Sequence, residues 1–224
     1  MNVAMPVTPM TDTPPALERE LRAALAGTHL DTPRPITDLE LPLKLDKLIS
    51  PAALAALRPA AVLAPVIRRG DALAMLLTVR SERLRSHRGQ ISFPGGGRDP
   101  GDADAVGNAL REAQEEIGLD AERVEVIGYL DDYPTLTRYM VTPVVGVVRE
   151  QPQWRIDDNE VAEVFEVPLA YVLDPRSYER KLLSRDGLNV PFFELNWERY
   201  RIWGATAGML WNLAQKFAAH RGGA

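Results

Sequence analysis

Residues 111–118, REAQEEIG, place three glutamates within five positions of one another. On a helix advancing about 100° per residue, with Glu112 at zero, Glu116 falls near +40° and Glu115 near −60°. Like charges this close destabilise an isolated helix by roughly 0.2–0.5 kcal/mol per pair. No lysine lies in the surrounding stretch to relieve them. Carboxylates converging on one point suit a hard cation such as Mg²⁺ or Mn²⁺, which would turn their repulsion into affinity. Such an ion polarises a phosphoryl oxygen and acidifies a bound water, so the chemistry expected is on phosphates.

The element carrying these acids reads as a helix from Asp104 to Ile117. Val106, Ala109, Leu110, Ala113 and Ile117 form an apolar stripe beside the acidic strip. Upstream lies FPGGG, read as a strand-ending turn whose glycines let backbone approach a ligand. AAVLAPVI and ALAMLLTV read as strands around an RRGD turn, and ISF, VEVIGYL, VTPVVGVV and VAEVFEV as further strands. A last helix is expected from about Ala205 to Ala219, with Trp203, Trp211, Leu210, Leu213 and Phe217 turned inward. Strands and helices mix without a strict βαβ repeat, which predicts an α+β, mixed α/β/α sandwich.

Ten of the 18 prolines fall in the first 65 residues, setting residues 1–50 apart as an extension from a body at 51–224. Within the extension, residues 16–26 place Leu17, Leu21 and Leu25 on one helical face. That helix has two places to pack: the body of its own chain, or a second copy in a homodimer. The chain has no cysteine, which excludes thiolate chemistry and fits a reducing compartment. The start has no secretory pattern and no run of 18 apolar residues occurs, so a cytoplasmic protein without membrane contact is expected. The net charge of −5 argues against nucleic acid as a partner and leaves a small anionic molecule.

Arg111, Glu112, Ala113, Glu115, Glu116, Gly118 and Leu119 match every defined position of R-E-U-x-E-E-x-G-U, where U is apolar. The chain therefore resembles the Nudix hydrolases, and the resemblance implies a mixed sheet between helices. The front of that motif departs from the pattern: with Gly96 as its glycine, the loop is one residue longer and Asp102 stands where glutamate is usual. Asp102 and Asp104 are both candidates to orient Arg111. Residues 76–96, LLTVRSERLRSHRGQISFPGG, are similar to the signature of the coenzyme A pyrophosphatase branch. NEVAEVFEVPL and WGATA also look like segments of that branch.

The resemblance implies hydrolysis of coenzyme A or its derivatives to 3′,5′-ADP and a 4′-phosphopantetheine product. Nudix pyrophosphatases acting on ADP-ribose or NADH, and a silent nucleotide-binding domain, are the alternatives. It implies Glu112, Glu115 and Glu116 as metal ligands and catalytic acids, with Arg111 orienting a glutamate. Arg80, Arg85, Gly89, Phe93, Gly95 and Gly96 are implied on the substrate side, since guanidinium groups bind phosphate in fork geometry. The general base is open between Glu112 and a loop carboxylate, Glu160 or Glu163. His87 and Trp154 are lesser candidates, and His29 and His220 read as surface residues.

Overall fold

The longest strand is apolar on both of its faces, and that places it at the centre of the sheet. The computed structural model describes residues 14–31, 34–38, 50–84, 87–149, 153–185 and 188–222. In β1 (Arg58–Arg69), Ala61, Leu63 and Ile67 enter one core while Ala60, Ala64 and Val66 enter another. One edge of β1 pairs in parallel with β7 (Tyr139–Val148). The other edge is shared: β4 (Gly95–Gly97) covers its start, and β2 (Ala72–Arg80) pairs with its end. The strand order β3-β2-β1-β7-β5 includes β3 (Ile91–Ser92) and β5 (Val124–Tyr129). Two further strands attach, β6 (Tyr133–Pro134) to β7 and β8 (Val161–Pro168) to β2.

The short α2 (Pro51–Ala55) precedes β1, and helix α3 (Ala105–Ile117) covers one face of the sheet, with Ala109, Ala113 and Ile117 fully buried against β1 and β7. Asp104 caps it by accepting from Gly107 N at 2.8 Å, and Gly118 ends it at φ +69°. The opposite face carries α1 (Ala16–Leu25), the short α4 (Leu169–Val172) and α5 (Ala205–Gly222). The expected α/β/α sandwich with a mixed sheet is the architecture found. The three glycines, read as a turn, form the short strand β4 instead.

Helix α1 packs on its own chain. Leu21 and Leu25 are buried in the main core, and the buried Glu18 carboxylate accepts from Arg68 at 2.6 and 3.0 Å. Arg68 continues the even-numbered face of β1, so strand alternation delivers it to α1. Arg22 links Glu18 to Glu125 on β5. Residues 16–25 therefore belong to the same core as the body, although they precede residue 50.

A second sheet, β9 (Tyr178–Arg185), β10 (Leu188–Trp197) and β11 (Tyr200–Trp203), precedes α5. Trp203 sits on β11, edge-on to Phe192, and not on the final helix. Trp211 does lie on α5, stacked on Phe193.

Candidate active site

The site forms where α3 passes over β4. A Cβ added at Gly96 would lie 2.7 Å from the carboxyl carbon and both oxygens of Glu112. Gly95 N donates to Glu116 Oε2 at 3.3 Å. The side-chain-free strip thus lets two carboxylates one helical turn apart rest against backbone. Glu112 raises the proton affinity of Glu116, so the two are close enough to repel.

Arg111 organises the acids around it. Its Nε and NH2 meet the two oxygens of Asp102 at 2.9 Å each, in fork geometry. NH2 also reaches Glu112 at 3.0 Å and the Gly97 carbonyl at 3.3 Å, and NH1 reaches Glu115 at 3.0 Å. The guanidinium beside Asp102 holds that carboxyl at about 2. Of the two candidates, Asp102 orients Arg111 and Asp104 caps the helix. The longer loop brings Asp102 back to the helix through its bond from Asp99 N at 2.7 Å.

Burial dominates the electrostatics of Glu116. Its side chain is 2% exposed, and desolvation pushes its carboxyl up to about 8. Arg80, with NH1 3.7 Å from Oε1, opposes that rise, while Glu160 and Glu112 add to it. Burial likewise raises Glu112, against the pull of Arg111.

Glu160 comes near these acids because its loop is stitched at both ends. Arg155 N and Asp157 N donate to the carbonyls of Ile117 and Glu116, each at 3.0 Å. Ser81 N donates to Glu160 O at 2.8 Å, and Ser81 Oγ to Asp158 O at 2.9 Å. Glu163 is drawn away to Arg199 and to the Tyr200 hydroxyl at 2.7 Å. The structure therefore brings Glu112, Glu116, Arg111, Arg80, Gly95, Gly96 and Glu160 together.

Other residues fall elsewhere. Glu115 is 57% exposed and shares Arg111 with Glu112, on the solvent side of that guanidinium. Phe93 is 1% exposed in the main core, so its ring backs the glycine strip and does not face a substrate. Gly89 makes the exposed return of the arginine loop, at φ +63° with its N–H bonded to Arg80 O. Arg85 lies outside the described residues. His87 is exposed and meets Gln90 Oε1 at 2.7 Å, and Trp154 packs against the core under α3.

Asn108 was not anticipated. It is fully buried, and its Nδ2 donates to Gly97 O at 3.2 Å, steadying β4 from the helix. Its signal is its position four residues before Glu112, on the acidic strip.

Among the described residues, no three His, Cys, Asp or Glu side chains are drawn together as a ready cation cage. Glu112 and Glu116 are instead held by arginines. Two carboxylates one turn apart nevertheless suit Mg²⁺, which takes one or two carboxylates and keeps its remaining positions for water and phosphate.

The NUDIX domain family matches residues 57–185, more than half of the chain. A protein of Citrobacter koseri called "Uncharacterized Nudix hydrolase NudL" is 45% identical over 157 residues, covering 70% of this chain and 81% of that protein. Its namesake from Escherichia coli is 44% identical over the same shares. A solved Ap4A hydrolase from C. elegans aligns over 75% of this chain and 99% of its own, with TM-score 0.48 and 17% identity. On the domain match and the identity to these relatives, the chain belongs to the Nudix hydrolase family.

Proposed function

We propose that the protein hydrolyses the diphosphate bond of coenzyme A or its acyl derivatives, using Mg²⁺ or Mn²⁺, to 3′,5′-ADP and a 4′-phosphopantetheine product. The observation that carries this reading is the contact between Arg80 and Glu116. Arg80 comes from the segment resembling the coenzyme A branch, and Glu116 from the Nudix motif. The fold sets them 3.7 Å apart across the same small space. A guanidinium beside paired carboxylates fits a diphosphate that shares a cation with those acids.

Glu112 and Glu116 would hold the cation, which supplies charge neutralisation for the diphosphate and a more acidic water. Asp102 and Arg111 fix Glu112 in place without touching substrate. Arg80 binds a phosphate oxygen, and Arg85 of the same segment is the second arginine assigned to the phosphates. Glu160 is the carboxylate assigned to take the proton of the attacking water, because its loop is fixed at both ends near the acids and Glu163 is engaged elsewhere. The water attacks one phosphorus, the bridging oxygen leaves with the other, and the proton passes to the base.

The test is turnover of coenzyme A, ADP-ribose and NADH side by side, each with Mg²⁺ and with Mn²⁺, and product masses read directly. Coenzyme A should give the highest kcat/KM. If it were the poorest of the three, the branch assignment would fail while the family membership stood.

A further inference from the structure

Arg80 and Arg111 serve the same acids in very different ways. Arg111 is committed: both of its forked bonds to Asp102 measure 2.9 Å, and two more acids fill its other edge. Arg80 is not. Its NH1 stands 3.7 Å from Glu116, an ion-pair distance too long for a hydrogen bond, and its Nε is buried with no partner. Its backbone is pinned, with N donating to Gln90 O at 2.9 Å and O accepting from Gly89 N at 3.0 Å. The side chain alone is left free to move, and it is 24% exposed at the mouth of the arginine loop.

Glu116 has the opposite character. It is 2% exposed, faces Glu112 and Glu160, and has Gly95 N at 3.3 Å as its hydrogen-bond donor. A buried carboxylate among other carboxylates needs a counter-charge. Given the diphosphatase activity proposed above, we infer that Arg80 is an exchangeable counter-ion. It balances Glu116, once that carboxyl is ionised, while no divalent cation is there, and turns to the substrate's diphosphate when a cation takes the carboxylate.

Arg80 and the cation then compete for one carboxylate in the absence of substrate. The same side chain makes cation and diphosphate bind cooperatively, since each frees or occupies what the other needs. Arg80 is on this account a positioning residue for the cation as well as a ligand for substrate.

Mn²⁺ binding without substrate, followed by electron spin resonance or calorimetry at a pH high enough to ionise Glu116, tests this on the full chain. Arg80→Gln should bind Mn²⁺ roughly five- to tenfold tighter than wild type, about 1–1.4 kcal/mol. Arg80→Lys keeps the charge and should stay near wild type. Adding methylenediphosphonate, an unreactive diphosphate, should tighten Mn²⁺ binding in wild type and do so less in Arg80→Gln. A folded Arg80→Gln with wild-type or weaker Mn²⁺ affinity would overturn the inference. So would an Arg80→Lys that matches the Gln variant. Glu116→Gln separates the two levels: wild type that ignores Mn²⁺ removes the site itself, whereas binding lost only in Glu116→Gln and unchanged in Arg80→Gln removes the counter-ion alone.

Discussion

Alanine placed in turn at each glycine of β4 should produce three different outcomes. At Gly96 the new Cβ would sit 2.7 Å from three atoms of the Glu112 carboxyl, and ordinary contact begins at 3.4 Å. The carboxylate must therefore withdraw by about 0.7 Å, and a misplacement near 1 Å can cost about 100-fold in rate. Gly96→Ala should lose roughly 30- to 100-fold in kcat on that scale, with a nearly unchanged melting temperature, because the atoms that move end a flexible side chain. At Gly95 the Cβ would meet Ala61 O at 2.4 Å and Val62 Cα at 2.6 Å, on a residue with φ +153°. Backbone does not yield in that way, so overpacking of about 1–3 kcal/mol should lower the melting temperature by roughly 2–12 °C.

Gly97 is the control. Its Cβ would lie 3.6 Å from Tyr139 Cε1, an ordinary contact, so Gly97→Ala should keep activity within about threefold and melt like wild type. The assay is product release from saturating coenzyme A with Mg²⁺, read beside thermal denaturation of the same samples. Gly96→Ala turning over as fast as Gly97→Ala would refute the reasoning, since the place of Glu112 against the strip would then not matter.

Asp102→Asn should lower kcat about 10- to 100-fold by releasing Arg111, with partial recovery in Asp102→Glu, whereas Asp104→Ala should cost about 1 kcal/mol of stability and leave kcat intact. Titration of Glu116 gives a signed pH effect. The folded chain keeps that proton up to about 8 and the unfolded chain only to 4.5, so metal-free stability falls as pH rises through this window. In chelator, Glu116→Gln should melt higher than wild type at pH 8 and lose that advantage below pH 4.5, an effect on the order of a few kcal/mol; equal melting at both pH values would contradict the burial argument. Glu18→Gln leaves Arg68 buried without its carboxylate, and denaturant titration should show a loss of about 3–5 kcal/mol, with kcat preserved below the transition.

Much of the site was legible in the sequence because it lies on one helix. The 3.6-residue period placed Glu112 and Glu116 together beside the stripe of Ala109, Ala113 and Ile117, and the structure keeps that relation. Glu115 is the more exposed of the three and bonds Arg111, which it shares with Glu112. What periodicity does not carry is the partner that arrives from another element. Glu18 reads as an ordinary acid in a first helical turn until Arg68 reaches it from β1. Asp102 and Asp104 are alike as residues, and the path of the loop between β4 and α3 separates them. Phe93 belongs to a motif read as facing substrate, yet the strand leading into β4 turns its ring to the core. The second sheet was missed because charged residues dominate β9, hiding its apolar side.

The charges around the glycine strip argue for a divalent cation more strongly than the glutamate spacing alone. Arg111 holds Asp102, Glu112 and Glu115, while Glu116 feels the charges of Glu112 and Glu160 with Arg80 opposite. Arg111 is spent on three of these acids, and Arg80 stands off at 3.7 Å. Glu116 and Glu112 consequently hold their protons more tightly than exposed carboxyls do, which is the response of a buried acid short of positive charge. A structural ion-pair network would close that deficit with a further arginine or lysine. Here the backbone against Glu112 is Gly96, where a side chain would collide with that carboxyl. A divalent cation on Glu112 and Glu116 would supply the missing charge and share its remaining positions with water and a phosphate.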